Sequence, residues 1–215
     1  MMKTKKMWVS VALLLLFVMW TVAVKTVGVK AIGPNGSVVG FSVINQYVHN
    51  LTGVNFMLYT ITDWLGLVPV FVCMCFAILG LIQWIHRGSI NKVDRDILLL
   101  GGFYVLVIAV YMLFEIIVIN YRPVLINGCL EASYPSSTTM LVMCVMPTTV
   151  MQLNHRIQNI KLKKFTRAAI LAFVIFMVGG RLLSGVHWIT DIVGGGLLSA
   201  GLVSLYHGLV CWQGV

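Results

Sequence analysis

His187 and Asp191 stand four residues apart at the start of the last apolar run, and Arg181 stands six residues before His187. On a helix, that spacing puts imidazole and carboxylate on one face, one turn apart. The carboxylate can then accept from one ring nitrogen and leave the other free as a nucleophile. Arg122 and Arg181 offer forked donors of the kind that grip phosphate oxygens. Pro135, Ser136 and Ser137 open a further apolar run. Proline suits a first helical position, and the free N–H groups of such a helix start, with two hydroxyls, form an anion cradle. Taken singly, these residues have ordinary structural readings: a packing histidine, headgroup anchors for the arginines, and Glu115 as an arginine's ion-pair partner. Their common location on one membrane face, derived next, favours a shared anion site.

The elements that must position them are membrane spans. Of 215 residues, 60% are hydrophobic and 10% charged, and the mean hydropathy is +0.97. The apolar residues come in long runs rather than in alternation, which predicts an all-α integral membrane bundle. Six segments approach the roughly 20 residues that a bilayer core requires: about 7–24, 64–85, 97–119, 135–153, 166–183 and 189–212. They read as one domain over residues 1–215, with the first run retained as a span rather than cleaved as a signal. The stretch VGFSVINQYVHNLTG between the first two spans is expected to form a short surface helix. The net charge of +9 does not indicate nucleic acid, because the basic residues form short clusters between apolar runs and no stripe with interleaved aromatics. The five cysteines have no metal-ligand spacing, so neither a metal nor a disulfide framework is expected.

Orientation follows from the short loops. Lys3, Lys5, Lys6, Arg87, Lys92, Arg95, Arg156, Lys161, Lys163, Lys164 and Arg167 fall on one side, leaving Lys25, Lys30, Arg122 and Arg181 on the other. The richer side should be cytoplasmic, with both termini inside a plasma or cytoplasmic membrane. Ionisable groups in or beside spans are costly and call for a function. Glu115, Arg122, Arg181, His187 and Asp191 all map to the outer face.

These residues resemble the type 2 phosphatidic acid phosphatases (PAP2), the family that shares its site with vanadium haloperoxidases. That family carries Lys-x6-Arg-Pro, Pro-Ser-Gly-His and Ser-Arg-x5-His-x3-Asp. Here the third motif reads Gly180-Arg181-LLSGV-His187-WIT-Asp191, the first Glu115-IIVINY-Arg122-Pro123, and the second Pro135-Ser136-Ser137-Thr138. The resemblance implies a PAP2-like six-span bundle. It makes His187 the nucleophile that forms a phosphohistidine and Asp191 its orienting partner. Arg122 and Arg181 become the phosphate clamp, with Ser136, Ser137 and nearby backbone assisting. It implies no metal and no other cofactor in phosphatase chemistry. Glu115 and Thr138 depart from the motifs: Glu115 replaces a phosphate-binding Lys, and Thr138 replaces the His that protonates the leaving group. Gly180 replaces a Ser, and Ser137 replaces a Gly.

The expected function is a membrane lipid-phosphate phosphatase acting through a phosphohistidine. Its substrate would be a lipid phosphate, such as a polyprenyl diphosphate (undecaprenyl diphosphate, for example) or a phosphatidate-type lipid. The alternative is an impaired PAP2-like binder of lipid phosphates or a phosphotransferase. A channel or transporter fits less well, since the polar groups gather at one end and line no path. The loss of the acid favours a diphosphate. A phosphate leaving group has a second pKa of about 6 and departs unprotonated, whereas an alkoxide does not. General acid catalysis is worth roughly 10²–10⁴ in rate.

Overall fold

The computed structural model describes residues 2–213, with side chains from 7 to 212. The side chains of Lys3, Lys5 and Lys6, part of the expected cytoplasmic cluster, lie outside the described residues. Helix α1 (Met2–Thr26) leads into a small antiparallel ribbon, β1 (Lys30–Ala31) with β2 (Val38–Val39). The expected short helix follows as α2 (Ser42–Thr52), which buries Ser42 and Asn45 and exposes Val43, Ile44, Tyr47 and Leu51. Then come α3 (Phe56–Leu65), α4 (Leu67–Arg87), α5 (Arg95–Ile116), α6 (Ser137–Arg156), α7 (Ile160–Leu183) and α8 (Ile189–Gln213). The chain is an all-α integral membrane bundle. Its outer surface is apolar, with Leu15, Val18, Phe71, Ile82, Val105, Ile108, Leu171 and Ile175 exposed. Lipid solvates such a surface, while the helices satisfy their own backbone hydrogen bonds.

Five helical stretches among the described residues are long and apolar enough to cross a bilayer: Met7–Thr26, Phe56–Arg87, Arg95–Ile116, Ile160–Leu183 and Ile189–Trp212. Helix α6, the expected fourth span, has 20 residues but lower hydropathy. Its position explains this, because α4, α5, α7 and α8 all pack on it and it buries much of its length away from lipid. Three of its polar side chains are satisfied internally, while the buried Thr139 hydroxyl has no partner among the described residues. Thr148 donates to the Cys144 carbonyl at 2.9 Å and Thr149 to that of Val145 at 2.7 Å, while Gln152 donates to the Tyr206 hydroxyl at 2.7 Å.

The helix boundaries correct several expectations. The second span does not begin at 64. Helix α3 starts at Phe56, where Asn55 caps it by accepting from the Leu58 N–H at 2.9 Å. It meets α4 at Gly66, where an added Cβ would lie 2.9 Å from the Asp63 carbonyl. The fifth span starts at Ile160 rather than 166, capped by Asn159. Pro135 is not the first residue of the fourth helix, because α6 starts at Ser137 with Ser136 in the N-cap position and the Tyr134–Pro135 peptide is cis.

Small residues on α8 set its close approaches. A Cβ on Gly194 would sit 2.5 Å from the Tyr134 ring, and one on Gly201 would sit 2.7 Å from Leu14 of α1. Ser10 of α1 donates to the Gly201 carbonyl at 3.2 Å. Helix α8 is thereby held at the centre of the bundle, and its first residues lie where α5 ends, α6 begins and α7 ends.

Candidate active site

Five segments converge at that end: the stretch after α5, the start of α6, the end of α7, the residues before α8, and α3. The first is a hairpin after α5 that sequence reading missed. Its tip, Ile126-Asn127-Gly128-Cys129, has φ of +50° at Asn127 and +77° at Gly128, with N–H to carbonyl bonds both ways between Ile126 and Cys129 at 3.0 and 2.9 Å. Asn-Gly is the common signal for such a turn. Farther back, Arg122 N–H donates to the Glu131 carbonyl at 3.0 Å and Ser133 N–H to that of Asn120 at 2.9 Å. Trp188 Nε1 donates to the Tyr121 carbonyl at 2.8 Å and pins the hairpin to the residues before α8.

The hairpin delivers Arg122, Asn120 and Ser133 to His187. That imidazole is 4% exposed and lies two residues ahead of α8, not on the helix as its spacing from Asp191 suggested. Its Nδ1 is 3.9 Å from Asp191 Oδ2, beyond a hydrogen bond. Ser133 stands between them, with Oγ 3.1 Å from His187 Nδ1 and 2.5 Å from Asp191 Oδ2, to which it donates. The expected direct pair is therefore a bridged one. Asp191 also accepts from Asn120 Nδ2 at 3.3 Å and from the Trp188 N–H at 2.9 Å. The last bond is the reach-back half of a capping box, so Asp191 also starts α8.

His187 Nε2 lies 3.3 Å from Arg122 NH1. Burial, followed by the charges of Arg122 and Arg181, holds the imidazole pKa well below its usual 6.5. The ring is therefore neutral at neutral pH.

Arg181, in the last turn of α7, is 3% exposed. Its NH2 donates to Asp63 Oδ1 at 2.7 Å and to Thr138 Oγ1 at 2.5 Å. Its Nε and NH1 are buried and have no hydrogen-bond partner among the described residues. Such orphaned donors cost about 1–3 kcal/mol each. Arg122 Nε is 3.1 Å from Glu131 Oε2, though not aligned for a hydrogen bond. The Tyr59 ring of α3 lies beneath both guanidinium groups, 5.0 Å from Arg181 Cζ and 6.0 Å from Arg122 Cζ.

Among the described residues neither arginine pairs with Glu115; their carboxylate partners are Asp63 and Glu131. Glu115 instead lines a small pocket with Tyr111, Ser133, Ser137 and His187. Ser136 offers an anion its hydroxyl rather than its N–H. Its N–H is taken by the Asp191 carbonyl at 3.1 Å, while its buried hydroxyl has no partner. Gly180 has a packing reason to lack a side chain, because a Cβ there would be 2.7 Å from Thr62 of α3. Sequence reading also missed Tyr59, Asp63, Asn120, Glu131 and Ser133. Asp63 alone had a signal, as a carboxylate just ahead of an apolar run.

An apolar cavity of about 490 Å³ adjoins the site, walled by Leu67, Val70, Val107, Ile108, Met140 and Leu141, with Asp63, Ser137 and Thr138 at its polar end.

No curated protein matches this chain. It resembles a solved structure described as the first transmembrane PAP2 type phosphatidylglycerolphosphate phosphatase from Bacillus subtilis. The TM-score is 0.61 and the identity 20%, over 94% of this chain and 96% of that one. At that identity the likeness is one of fold. The sequence profile of the PAP2 superfamily matches residues 100–213, the stretch that holds Arg122, Arg181, His187 and Asp191. Since that match spans more than half of the 215 residues, the chain belongs to the PAP2 superfamily.

Proposed function

We propose that this protein is a lipid-phosphate phosphatase that works through a phosphohistidine on His187 and prefers lipid diphosphates. The observation that carries the reading is Arg181, whose two buried, unpartnered guanidinium nitrogens lie in the same site as a neutral histidine. A phosphoryl group seated between Arg181 and Arg122 would accept the orphaned bonds. The adjoining apolar cavity fits a lipid tail, and the Bacillus subtilis neighbour is described as acting on a lipid phosphate.

In the first step His187 Nε2 forms a bond to phosphorus, and the bond from phosphorus to the leaving oxygen breaks with its electron pair on that oxygen. In the second, water attacks the phosphohistidine, the N–P bond breaks and its pair returns to Nε2. Inorganic phosphate leaves carrying the hydrogens of the water. Asp191 orients the histidine. Ser136, Ser137 and the backbone at the start of α6 complete the phosphate site. The basic residues at the opposite helix ends, Arg87, Lys92, Arg95, Arg156 and Lys161 among them, support cytoplasmic termini and a site on the outer face.

Thr138 supports the diphosphate preference. It occupies the family position of the leaving-group acid, and its hydroxyl accepts from Arg181. Purified protein in detergent should release phosphate faster from polyprenyl diphosphates than from phosphatidate-type monoesters. Thr138→His, whose ring has the 490 Å³ cavity to enter, should raise monoester turnover by up to about 10²-fold and change diphosphate turnover little. Faster hydrolysis of monoesters by the wild type would overturn the preference. Lipid-phosphate binding without release from either class would favour the binder reading.

The low pKa of His187 fixes the sign of one pH effect. The free enzyme protonates its nucleophile below 6.5, so the acid limb of kcat/KM caused by His187 lies below that value. Arg122→Gln removes one of the two charges that depress it and should move the limb upward. A pH profile of both proteins on one substrate, corrected for substrate ionisation, measures the shift. No movement would show that Arg122 does not set the protonation of the histidine.

A further inference from the structure

We propose that Ser133 is a positioning residue through which Asp191 acts on His187: its hydroxyl carries the hydrogen bond that the two side chains do not make directly. The inference rests on the phosphatase reading and adds a residue to it that lies outside the recognised motifs.

The proton count assigns the direction of every bond. Asp191 as a carboxylate has only acceptors to offer, and the Ser133 hydroxyl has one hydrogen. That hydrogen goes to Asp191 Oδ2 at 2.5 Å. Ser133 Oγ therefore has only lone pairs left for His187 Nδ1 at 3.1 Å, so Nδ1 carries the hydrogen of the neutral ring. Nε2 then holds the lone pair, directed at Arg122 NH1 at 3.3 Å. The chain of bonds from Asp191 to Ser133 to Nδ1–H leaves one ring nitrogen unprotonated, and it is the one facing the phosphate clamp.

The bridge is firmly held. Ser133 is 3% exposed, and its N–H is bonded to the Asn120 carbonyl. The Asn120 side chain in turn holds the other oxygen of Asp191. Hairpin and carboxylate are thus locked together around the hydroxyl. As Nε2 attacks phosphorus and the P–O bond breaks, the ring gains positive charge while Nδ1 keeps its hydrogen. Asp191 stabilises that charge through the polarised hydroxyl. Water then breaks the N–P bond and the ring returns to its starting tautomer, with no net proton passing through Ser133.

The test combines kinetics with a direct reading of the tautomer. Ser133→Ala should lower kcat for a polyprenyl diphosphate by about 10²-fold, a fraction of the roughly 10⁴ that follows the loss of an orienting carboxylate, and should leave KM nearly unchanged. Ser133→Thr keeps the hydroxyl and should recover most of kcat. In protein labelled with 15N-histidine in detergent micelles, the His187 resonance is identified by its absence in His187→Gln. The wild type should show a protonated Nδ1 and an unprotonated Nε2, and Ser133→Ala should lose that single tautomer. A protonated Nε2 in the wild type overturns the relay, and that measurement stands even if Ser133→Ala does not fold. An unchanged kcat in a folded Ser133→Ala protein overturns it too. Failure of the wild type to release phosphate from any lipid phosphate sinks the phosphatase reading instead, and the tautomer is measured independently of it.

Discussion

His187→Ala should reduce phosphate release to background, a loss of at least about 10⁴-fold, the scale expected when a covalent nucleophile is deleted. The size follows from the absence of a substitute. Among the described residues, the side chains placed in the site beside His187 are Arg122, Arg181, Tyr59, Asn120, Ser133, Ser136, Ser137, Thr138 and the carboxylates. None of these is a neutral nitrogen base with a free lone pair. Substrate binding should survive, because the guanidinium groups remain and a small uncharged side chain replaces a neutral ring. The measurement is phosphate release from a lipid diphosphate by wild type and variant, with binding followed separately. Trapping of a labelled phosphoenzyme that is stable to base and labile to acid should succeed only in the wild type. Equal release by the two proteins would remove His187 from the mechanism.

Arg181→Lys should cost about 10²–10³-fold in kcat/KM, the usual effect of losing one preorganised donor to a developing oxyanion, while the bundle still forms. A lysine retains the charge but not the fork. Arg181 uses NH2 to reach both Asp63 and Thr138, and its Nε and NH1 have no partner among the described residues, which on the proposed reading leaves them for phosphate. A single ammonium cannot do both. The side-chain exposures of the pair, 3% for Arg181 and 58% for Asp63, give them different parts. On the proposed reading the guanidinium is fixed by packing, and the exposed carboxylate would neutralise it until phosphate arrives. The loss should therefore fall on both kcat and KM. Steady-state kinetics with the full chain distinguishes this from a folding defect, since a folding defect would lower the active fraction at an unchanged KM.

Much of the architecture was legible in the chain. Long apolar runs demand membrane helices because no other open structure satisfies its backbone in lipid. The spacing of Arg181, His187 and Asp191 identified the superfamily match before any geometry was known. The helix ends were less legible. Arg95 at the head of α5 and Lys161 to Lys164 at the head of α7 lie within helices, because hydropathy registers the lipid-facing core and not the capped turns beyond it. Helix α6 shows the same limit from the other side. Its threonines and Gln152 lower its hydropathy, yet other helices enclose it, and Thr148, Thr149 and Gln152 find their hydrogen bonds there.

The partners inside the site were the least legible. Asp63 and Tyr59 reach Arg181 from more than a hundred residues away, through the packing of α3 on α7 at Gly180. No local pattern encodes such a contact. Nothing in the local sequence separates Ser133 from other serines before a helix, and Asn127-Gly128 marks a turn without showing that the hairpin it closes carries Arg122.

The sequence by itself determined the membrane class, the end of the bundle where the polar residues gather, and the motif spacing of Arg122, Arg181, His187 and Asp191. These depend on hydropathy and on spacing within single segments. Only the tertiary structure decided which carboxylates face the arginines, which donors stay unpartnered, and that a hydroxyl stands between Asp191 and His187. A hydrogen bond requires placement to within a few tenths of an ångström. Here that placement is set jointly by a hairpin, a helix start and the close packing of four helices, each distant from the others along the chain.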